Sequence, residues 1–118
     1  MDDKELIERA ARAAGITGWW YEEWKCLVYM GAPAVINNRT VSIWSPLTND
    51  GDALQLAVKL GLCVSIDTEN HCAEARFTLP GKLSSDYCVE DSNSAPVAAT
   101  RRAIVRAAAA MADNQGGV

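Results

Sequence analysis

The spacing of apolar residues predicts three helices, one near each end of the chain and one in its middle. From Asp3 to Ala14 the apolar residues share one face of a helix and the charged residues share the other. Gly15 then provides a typical C-terminal stop. The last helix is predicted from about Ala95 to Ala112, with Pro96 in its first turn.

The middle helix, which ends at Leu60 before Gly61, is predicted to be the centre of the core. Its polar residues Asp52, Gln55 and Lys59 occupy an arc of roughly 60°, and apolar residues cover the rest of its circumference. A helix with so narrow a polar stripe is expected to be mostly buried.

The acidic segment before this helix has two interpretations, as a metal site or as a helix cap. The EF-hand pattern requires a Glu six residues after its Gly, and the residue six after Gly51 is Ala57. Capping therefore explains the segment better, with Asp50 as N-cap and Asp52 in the first turn.

Segments with β-branched or alternating residues predict strands before the middle helix. The first strand is expected at Cys26–Met30 and to be ended by the Gly-Ala-Pro segment 31–33. A turn at 34–39 is then expected to lead into a second strand, Thr40–Trp44.

Two further segments, 62–67 and 73–78, alternate clearly and are expected to pair as a hairpin, with Leu62, Val64 and Ile66 directed inward. The polar segment 82–93 is predicted to be a mobile loop with a short strand at 87–89. The complete pattern predicts an α+β fold, an antiparallel sheet of about four strands flanked by three helices.

Composition limits the number of domains and the classes of partner. The chain has 118 residues, 49% of them apolar, which suits one compact domain over residues 1–118. The net charge of −4 argues against binding to a nucleic acid polymer or an anionic membrane. Residues 1–5 lack a signal-peptide pattern, and no apolar run approaches the ~20 residues that span a bilayer. We therefore expect a soluble cytoplasmic protein.

Cysteine and histidine give little indication of metal or redox chemistry. The four cysteines form no C-x-x-C pair and are expected to be buried thiols in a reducing compartment. His71 is the sole histidine and is placed in a predicted turn. No metal site, cofactor or catalytic residue is predicted, and we expect a protein that is not an enzyme.

Arg101 contradicts the pattern of its own helix, because it projects from the middle of the apolar face between Val97 and Ile104. A guanidinium in that position needs an anion. The anion is either a carboxylate of this chain, with Asp50, Asp52 and Glu74 as candidates, or the phosphate of a ligand near the helix N-terminus.

Aromatic residues are concentrated in the segment Trp19–Trp24, which contains three tryptophans and Tyr21. Such a cluster either covers one end of the core or an oligomer contact, or it stacks on a planar ligand such as a nucleobase.

The chain resembles the phage ABA sandwich family of small bacteriophage and prophage proteins. The resemblance rests on three segments that together span nearly the full length: Ala13–Ile16, the central Trp44–Leu54, and the tail Pro96–Ile104. The family name implies helices flanking an antiparallel sheet, and it brings no catalytic residues that transfer to this chain.

Three functions are compatible with these features and with the resemblance. The first is a non-catalytic phage accessory protein, a homo-oligomer in the host cytoplasm that sequesters a small anionic ligand such as a cyclic nucleotide signal of antiphage defence. The second is a protein–protein inhibitor of a host factor, anchored by the aromatic cluster. The third is a nucleotide-cleaving enzyme. The predicted ligand-binding residues are Arg101, Arg102, Thr100, Trp20, Trp24 and Trp44.

Overall fold

The computed structural model describes residues 2–36, 39–78, 85–91 and 95–116. These residues form three helices and six strands, which confirms the α+β class. The helices are α1 (Asp3–Ala14), α2 (Asp50–Leu60) and α3 (Pro96–Gly116). The strands are β1 (Trp19–Tyr21), β2 (Cys26–Ile36), β3 (Arg39–Trp44), β4 (Cys63–Asp67), β5 (Cys72–Thr78) and β6 (Ser85–Asp91).

The strands form two antiparallel sheets rather than the one sheet of about four strands that we predicted. Sheet A has the order β1-β2-β3, and sheet B has the order β4-β5-β6. Each sheet is built from strands that are consecutive in the chain, so α2 lies between the sheets in the sequence. Pairing β3 with β4 would have made a single sheet, but among the described strands these two do not pair.

Helix α1 agrees with its predicted bounds because both ends carry strong local signals. The Asp2 carboxylate accepts a hydrogen bond of 2.9 Å from the backbone N–H of Glu5, which caps the first turn. Gly15 adopts the left-handed conformation, with φ of 74°, and its N–H bonds to carbonyls of the last turn.

Strand β2 continues past the segment that we expected to end it. The pairing with β3 shifts register between Met30 and Ala34, so the Gly-Ala-Pro segment 31–33 forms an irregularity inside a strand of 11 residues. A bulge can accommodate Pro and Gly without ending a strand. The predicted turn at 34–39 is therefore wrong for 34–36, which belong to β2, and for Arg39, which begins β3; residues 37–38 lie outside the described residues.

The hairpin of β4 and β5 is confirmed, with Ser65 opposite Glu74 in regular register. The turn is held by Asp67, whose carboxylate accepts hydrogen bonds from the backbone N–H groups of Glu69 and Asn70 and from the Asn70 side chain. Strand β6 pairs with β5 over seven residues, so the segment predicted as a mobile loop contains a full strand.

Helix α3, and not α2, supplies the largest share of the described core. Its buried residues are Ala99, Ala103, Ile104, Val105, Ala107, Ala108, Ala109 and Ala112. Helix α2 buries Ala53, Leu56 and Ala57, but Leu54 is 63% exposed and Val58 is 73% exposed. The prediction that α2 is mostly buried is therefore wrong, because the described chain covers one side of that helix.

Two other expected core positions are also exposed. Val97 in the first turn of α3 is 55% exposed, and Ile66 on β4 is 57% exposed. Both lie beside the exposed side of α2, as described below. Among the described residues, no helix is long and apolar enough to cross a membrane.

Candidate ligand-binding groove

A groove of about 350 Å³ lies between α2, β4 and the N-terminal half of α3. Its volume falls in the range of about 300–1,000 Å³ that is typical of small-ligand sites. The apolar residues that line it include Leu54, Val64, Ile66, Val97 and Ile104. Three polar residues, Asp50, Thr100 and Arg101, complete the described lining.

The groove opens to solvent between β4, at the edge of sheet B, and the first turns of α3. The side chains of Val64 and Ile66 lie on the same face of β4, at the edge of sheet B. Val97 and Thr100 lie in the first turns of α3 and line the same groove. Exposed apolar surface of this kind is typical of sites that bind a ligand or another protein.

Arg101 stands beside the groove and binds two groups of the segment that enters α2. Its Nε donates a hydrogen bond of 2.8 Å to the backbone carbonyl of Leu47, and its Nη1 lies 2.6 Å from Oδ1 of Asp50. Of the three carboxylates that we considered as an internal partner, the structure therefore pairs Arg101 with Asp50.

The two members of this ion pair differ in burial. The side chain of Arg101 is 19% exposed and that of Asp50 is 74% exposed. A guanidinium has five N–H donors, and these two bonds use two of them. The other three have no acceptor among the described residues. Arg101 can therefore bind a further anion, and solvent can readily hydrate Asp50 if an anion displaces it.

Asp50 is available for this ion pair because it is not the N-cap that we predicted. Asn49 is the N-cap, and its side chain accepts a hydrogen bond of 2.8 Å from the backbone N–H of Asp52. The carboxylate of Asp52 in turn accepts a bond of 2.8 Å from the backbone N–H of Ser45, which fixes the entry segment. Asp50 begins the helix and is directed toward Arg101.

Thr100 lines the groove but its hydroxyl is already used within the helix. Its Oγ1 donates to the backbone carbonyl of Pro96 at 2.8 Å. Both lone pairs of a hydroxyl can still accept hydrogen bonds. Thr100 is thus suited to accept a bond from a polar ligand group and less suited to donate one to an anion.

The other predicted binding residues lie outside this groove. Arg102 binds Asp3 of α1 with two N–H groups, at 2.8 and 3.1 Å. Trp44 is 5% exposed and belongs to the main core. The six predicted ligand-binding residues therefore do not form one site, since the structure brings only Arg101 and Thr100 to the groove.

Trp20 lies in β1, and Trp24 lies in the turn that joins β1 to β2. The indole N–H of Trp20 donates a hydrogen bond of 2.6 Å to Glu22, and Trp24 packs edge-on against Tyr21 with ring centroids 4.9 Å apart. Hydrogen bonds from Lys25 and then from Trp20 lower the pKa of Glu22. Trp24 is 45% exposed, so its ring remains accessible to a partner.

The cysteines differ from one another in environment. Cys26, Cys63 and Cys72 are free thiols. Burial raises the pKa of the Cys26 thiol, whereas Cys63 on β4 is exposed, contrary to the expectation that all four are buried. Cys88 is in β6, and its side chain lies outside the described residues. Among the described residues, no three His, Cys, Asp or Glu side chains converge as a metal site.

Sequence reasoning missed the apolar lining of the groove, especially Leu54, Ile66 and Val97. Each was assigned to the core because apolar periodicity predicts a buried face wherever it occurs. The sequence did contain a signal for this groove. An 11-residue helix that is apolar around most of its circumference is followed by an alternating strand. Together they offer more apolar surface than one small core can bury.

Comparisons of the chain with protein-family models, with curated proteins and with solved structures found no match. The resemblance to the phage ABA sandwich family accordingly stays a prediction from the three segments quoted above. The candidate site thus rests on the geometry of this chain.

Proposed function

We propose that this chain is a non-catalytic binding protein that takes up a small ligand with an apolar body and one anionic group. The observation that carries the proposal is the combination of an open apolar groove with a mostly buried guanidinium at its side. The apolar body would fill the groove, and the anionic group would bind Arg101. Sequestration, and not turnover, is the proposed role.

The positive charges near the N-terminus of α3 favour the binding of an anion at that end of the groove. The first two turns of α3 contribute Pro96, Val97 and Thr100 to the lining, and a helix N-terminus carries a partial positive charge. Arg101 adds a full positive charge in a region shielded from water on one side. A bound phosphate or carboxylate would compete with Asp50, whose side chain is mostly hydrated.

A cyclic nucleotide is the narrower proposal that follows from the resemblance to phage proteins. The groove supports the phosphate part of this proposal through Arg101. It gives less support to stacking of the base, because Trp20, Trp24 and Trp44 do not line it. An amphiphilic carboxylate matches the apolar wall at least as well, so both ligand classes belong in the test.

The test is a thermal-shift screen with mono-, di- and cyclic nucleotides and with medium-chain carboxylates. A ligand present at 100 times its Kd stabilises the folded state by about 2.7 kcal/mol. For a chain of this size, that corresponds to a rise in Tm on the order of 10 °C. The recovered ligand is analysed by chromatography, and an unaltered ligand supports sequestration.

Two variants with opposite expected effects test the role of Arg101. Arg101→Met keeps the apolar stem and removes the N–H donors, so we expect at least tenfold weaker binding. Asp50→Asn removes the internal competitor, so we expect tighter binding. A purely structural role for the ion pair would change both affinities in the same direction or neither. The proposal fails if no ligand of either class raises the Tm.

A pair of neighbouring substitutions tests the groove itself. Val97→Glu places a negative charge on the groove wall, and we expect it to abolish binding of an anionic ligand. Ala98→Glu is the matched control, since Ala98 is an exposed neighbour in the same helical turn and does not line the groove. Equal affinities for the two variants would contradict the proposed site.

A second candidate function is the inhibition of a host protein through the aromatic cluster Trp19–Trp24. The observation that favours it is the exposure of Trp24 at 45% and of Trp19 at 41%, since exposed tryptophans are frequent anchors of protein interfaces. This function requires a host protein that, once purified, binds the wild type and does not bind Trp24→Ala. Phage origin, an anti-defence role and location in the host cytoplasm are proposed from the resemblance alone.

A further inference from the structure

Strand β4 forms one edge of sheet B and pairs on its inner side with β5. Among the described residues, no backbone group bonds to its outer side. A free edge offers a row of N–H and C=O groups that readily pair with another strand.

The sequence of β4 lacks the features that normally protect such an edge. Natural edge strands carry Lys or Pro residues, bulges or inward-pointing charges. The segment Cys63–Ile66 has no charge, and its pairing with β5 runs in regular register without a bulge. Asp67 is the first charged residue and stands at the end of the strand.

The opposite edge of sheet B differs in charge. Strand β6 has the sequence Ser-Asp-Tyr-Cys-Val-Glu-Asp, with three acidic residues among seven. Pairing of β6 with itself would bring like charges together, which is destabilising. Pairing of β4 with itself avoids this conflict, so charge favours β4 as the edge that associates.

The exposed apolar residues beside this edge extend beyond the lining of the groove. Val58 is 73% exposed and does not line the groove. Together with Leu54, Ile66 and Val97 it forms an apolar patch on the order of 400 Å², a size that marks interaction surfaces. The patch alone supplies about half of the ~800 Å² per partner that a stable interface buries.

We propose that a second copy of this chain pairs with β4 in antiparallel orientation about a two-fold axis near Ser65. The two sheets B then form one continuous six-stranded sheet, and the apolar patches of both copies are buried beside it. Val64 of one copy lies opposite Ile66 of the other, and Cys63 lies opposite Asp67. No like charges face each other in this register. Leu54, Ile66 and Val97 also line the groove, so the dimer and a ligand in the groove use the same residues.

Sedimentation equilibrium of the full chain without ligand tests the dimer. We expect a mass twice the chain mass of 12.7 kDa and a return to the monomer mass in Ile66→Lys. Thr17→Lys is the matched control, because it adds the same charge at an exposed loop position before β1. Circular dichroism of both variants checks that the fold is retained. A monomeric wild type at all concentrations overturns the proposal.

Cross-linking tests the position of the two-fold axis. Opposed residues of antiparallel strands have Cα atoms about 4.5–5.5 Å apart, within disulfide range. In a Cys63→Ser background, Ser65→Cys is therefore expected to form a covalent dimer under mild oxidation, whereas Thr17→Cys is not. A dimer that survives Ile66→Lys and resists cross-linking through Ser65→Cys would use another surface and would overturn the proposal. Because Ile66 lines the groove, ligand binding is tested separately, in Arg101→Met and Asp50→Asn.

Discussion

Leu54 and Leu56 are two residues apart on α2 but differ strongly in burial, which makes them a direct test of how this helix is placed. Leu54 is 63% exposed and Leu56 is 2% exposed. Replacing each with Ala removes the same atoms from the same helix. Any difference in stability therefore reports on tertiary burial and not on helix propensity.

The expected magnitudes follow from the exposed fractions. A buried Leu→Ala substitution typically costs about 2–5 kcal/mol, because apolar burial is lost and a cavity remains. Leu54 has roughly a third of its surface buried, and complete burial of such a side chain is worth about 1.5–3 kcal/mol. We therefore expect Leu54→Ala to lower the free energy of unfolding by about 0.5–1 kcal/mol, with no cavity, and Leu56→Ala by about 3 kcal/mol.

Urea unfolding monitored by circular dichroism measures both values. The protein must be dilute enough to be monomeric, because loss of a dimer contact at Leu54 would otherwise lower the apparent stability as well. The slope of the transition should match that of the wild type in both variants. Equal losses at the two positions, or a larger loss at Leu54, would refute the placement of α2 and would restore its predicted position at the centre of the core.

Two further predictions concern α3 and the β4–β5 turn. Ala107→Leu should lower the free energy of unfolding by about 1–3 kcal/mol through overpacking of a fully buried position, whereas Ala98→Leu on the exposed side should change it by less than about 0.5 kcal/mol in the same urea assay. The pKa of Asp67 is lowered, first by its hydrogen bond from the Asn70 side chain, so its contribution to stability is present at neutral pH and is lost as the pH falls through that pKa. Asn70→Ala should therefore raise the pKa of Asp67 toward 3.8 in an NMR titration and should destabilise the fold at pH 7 more than in acid; an unchanged pKa would contradict this role.

Short-range sequence signals, such as helix caps and short turns, predicted the elements that form without contacts to distant parts of the chain. Asp2 and Gly15 act on residues within one helical turn, so the bounds of α1 could be predicted from sequence. The hairpin of β4 and β5 was predictable for the same reason, because two alternating segments are joined by a short turn. The end of β2 was not, since a bulge depends on the neighbouring strand.

The candidate site was predictable in part. Arg101 was identified because its charge conflicts with an apolar helix face, and the structure pairs it with one of the three carboxylates considered. Thr100 was predicted as a binding residue because it precedes Arg101 in the same helix. Trp20, Trp24 and Trp44 were grouped with them on chemical type, and sequence carries no information on the distance between segments that pack in different places.

The sequence by itself determined the helices, most strands and the conflict at Arg101, because periodicity and capping act over a few residues. Tertiary structure alone decided which apolar faces are covered. Leu54, Val58, Ile66 and Val97 satisfy every local criterion for a core, yet a side chain is buried only when another element packs against it. The division of the strands into two sheets leaves β4 at an edge and the adjoining face of α2 open, and this long-range arrangement creates the groove.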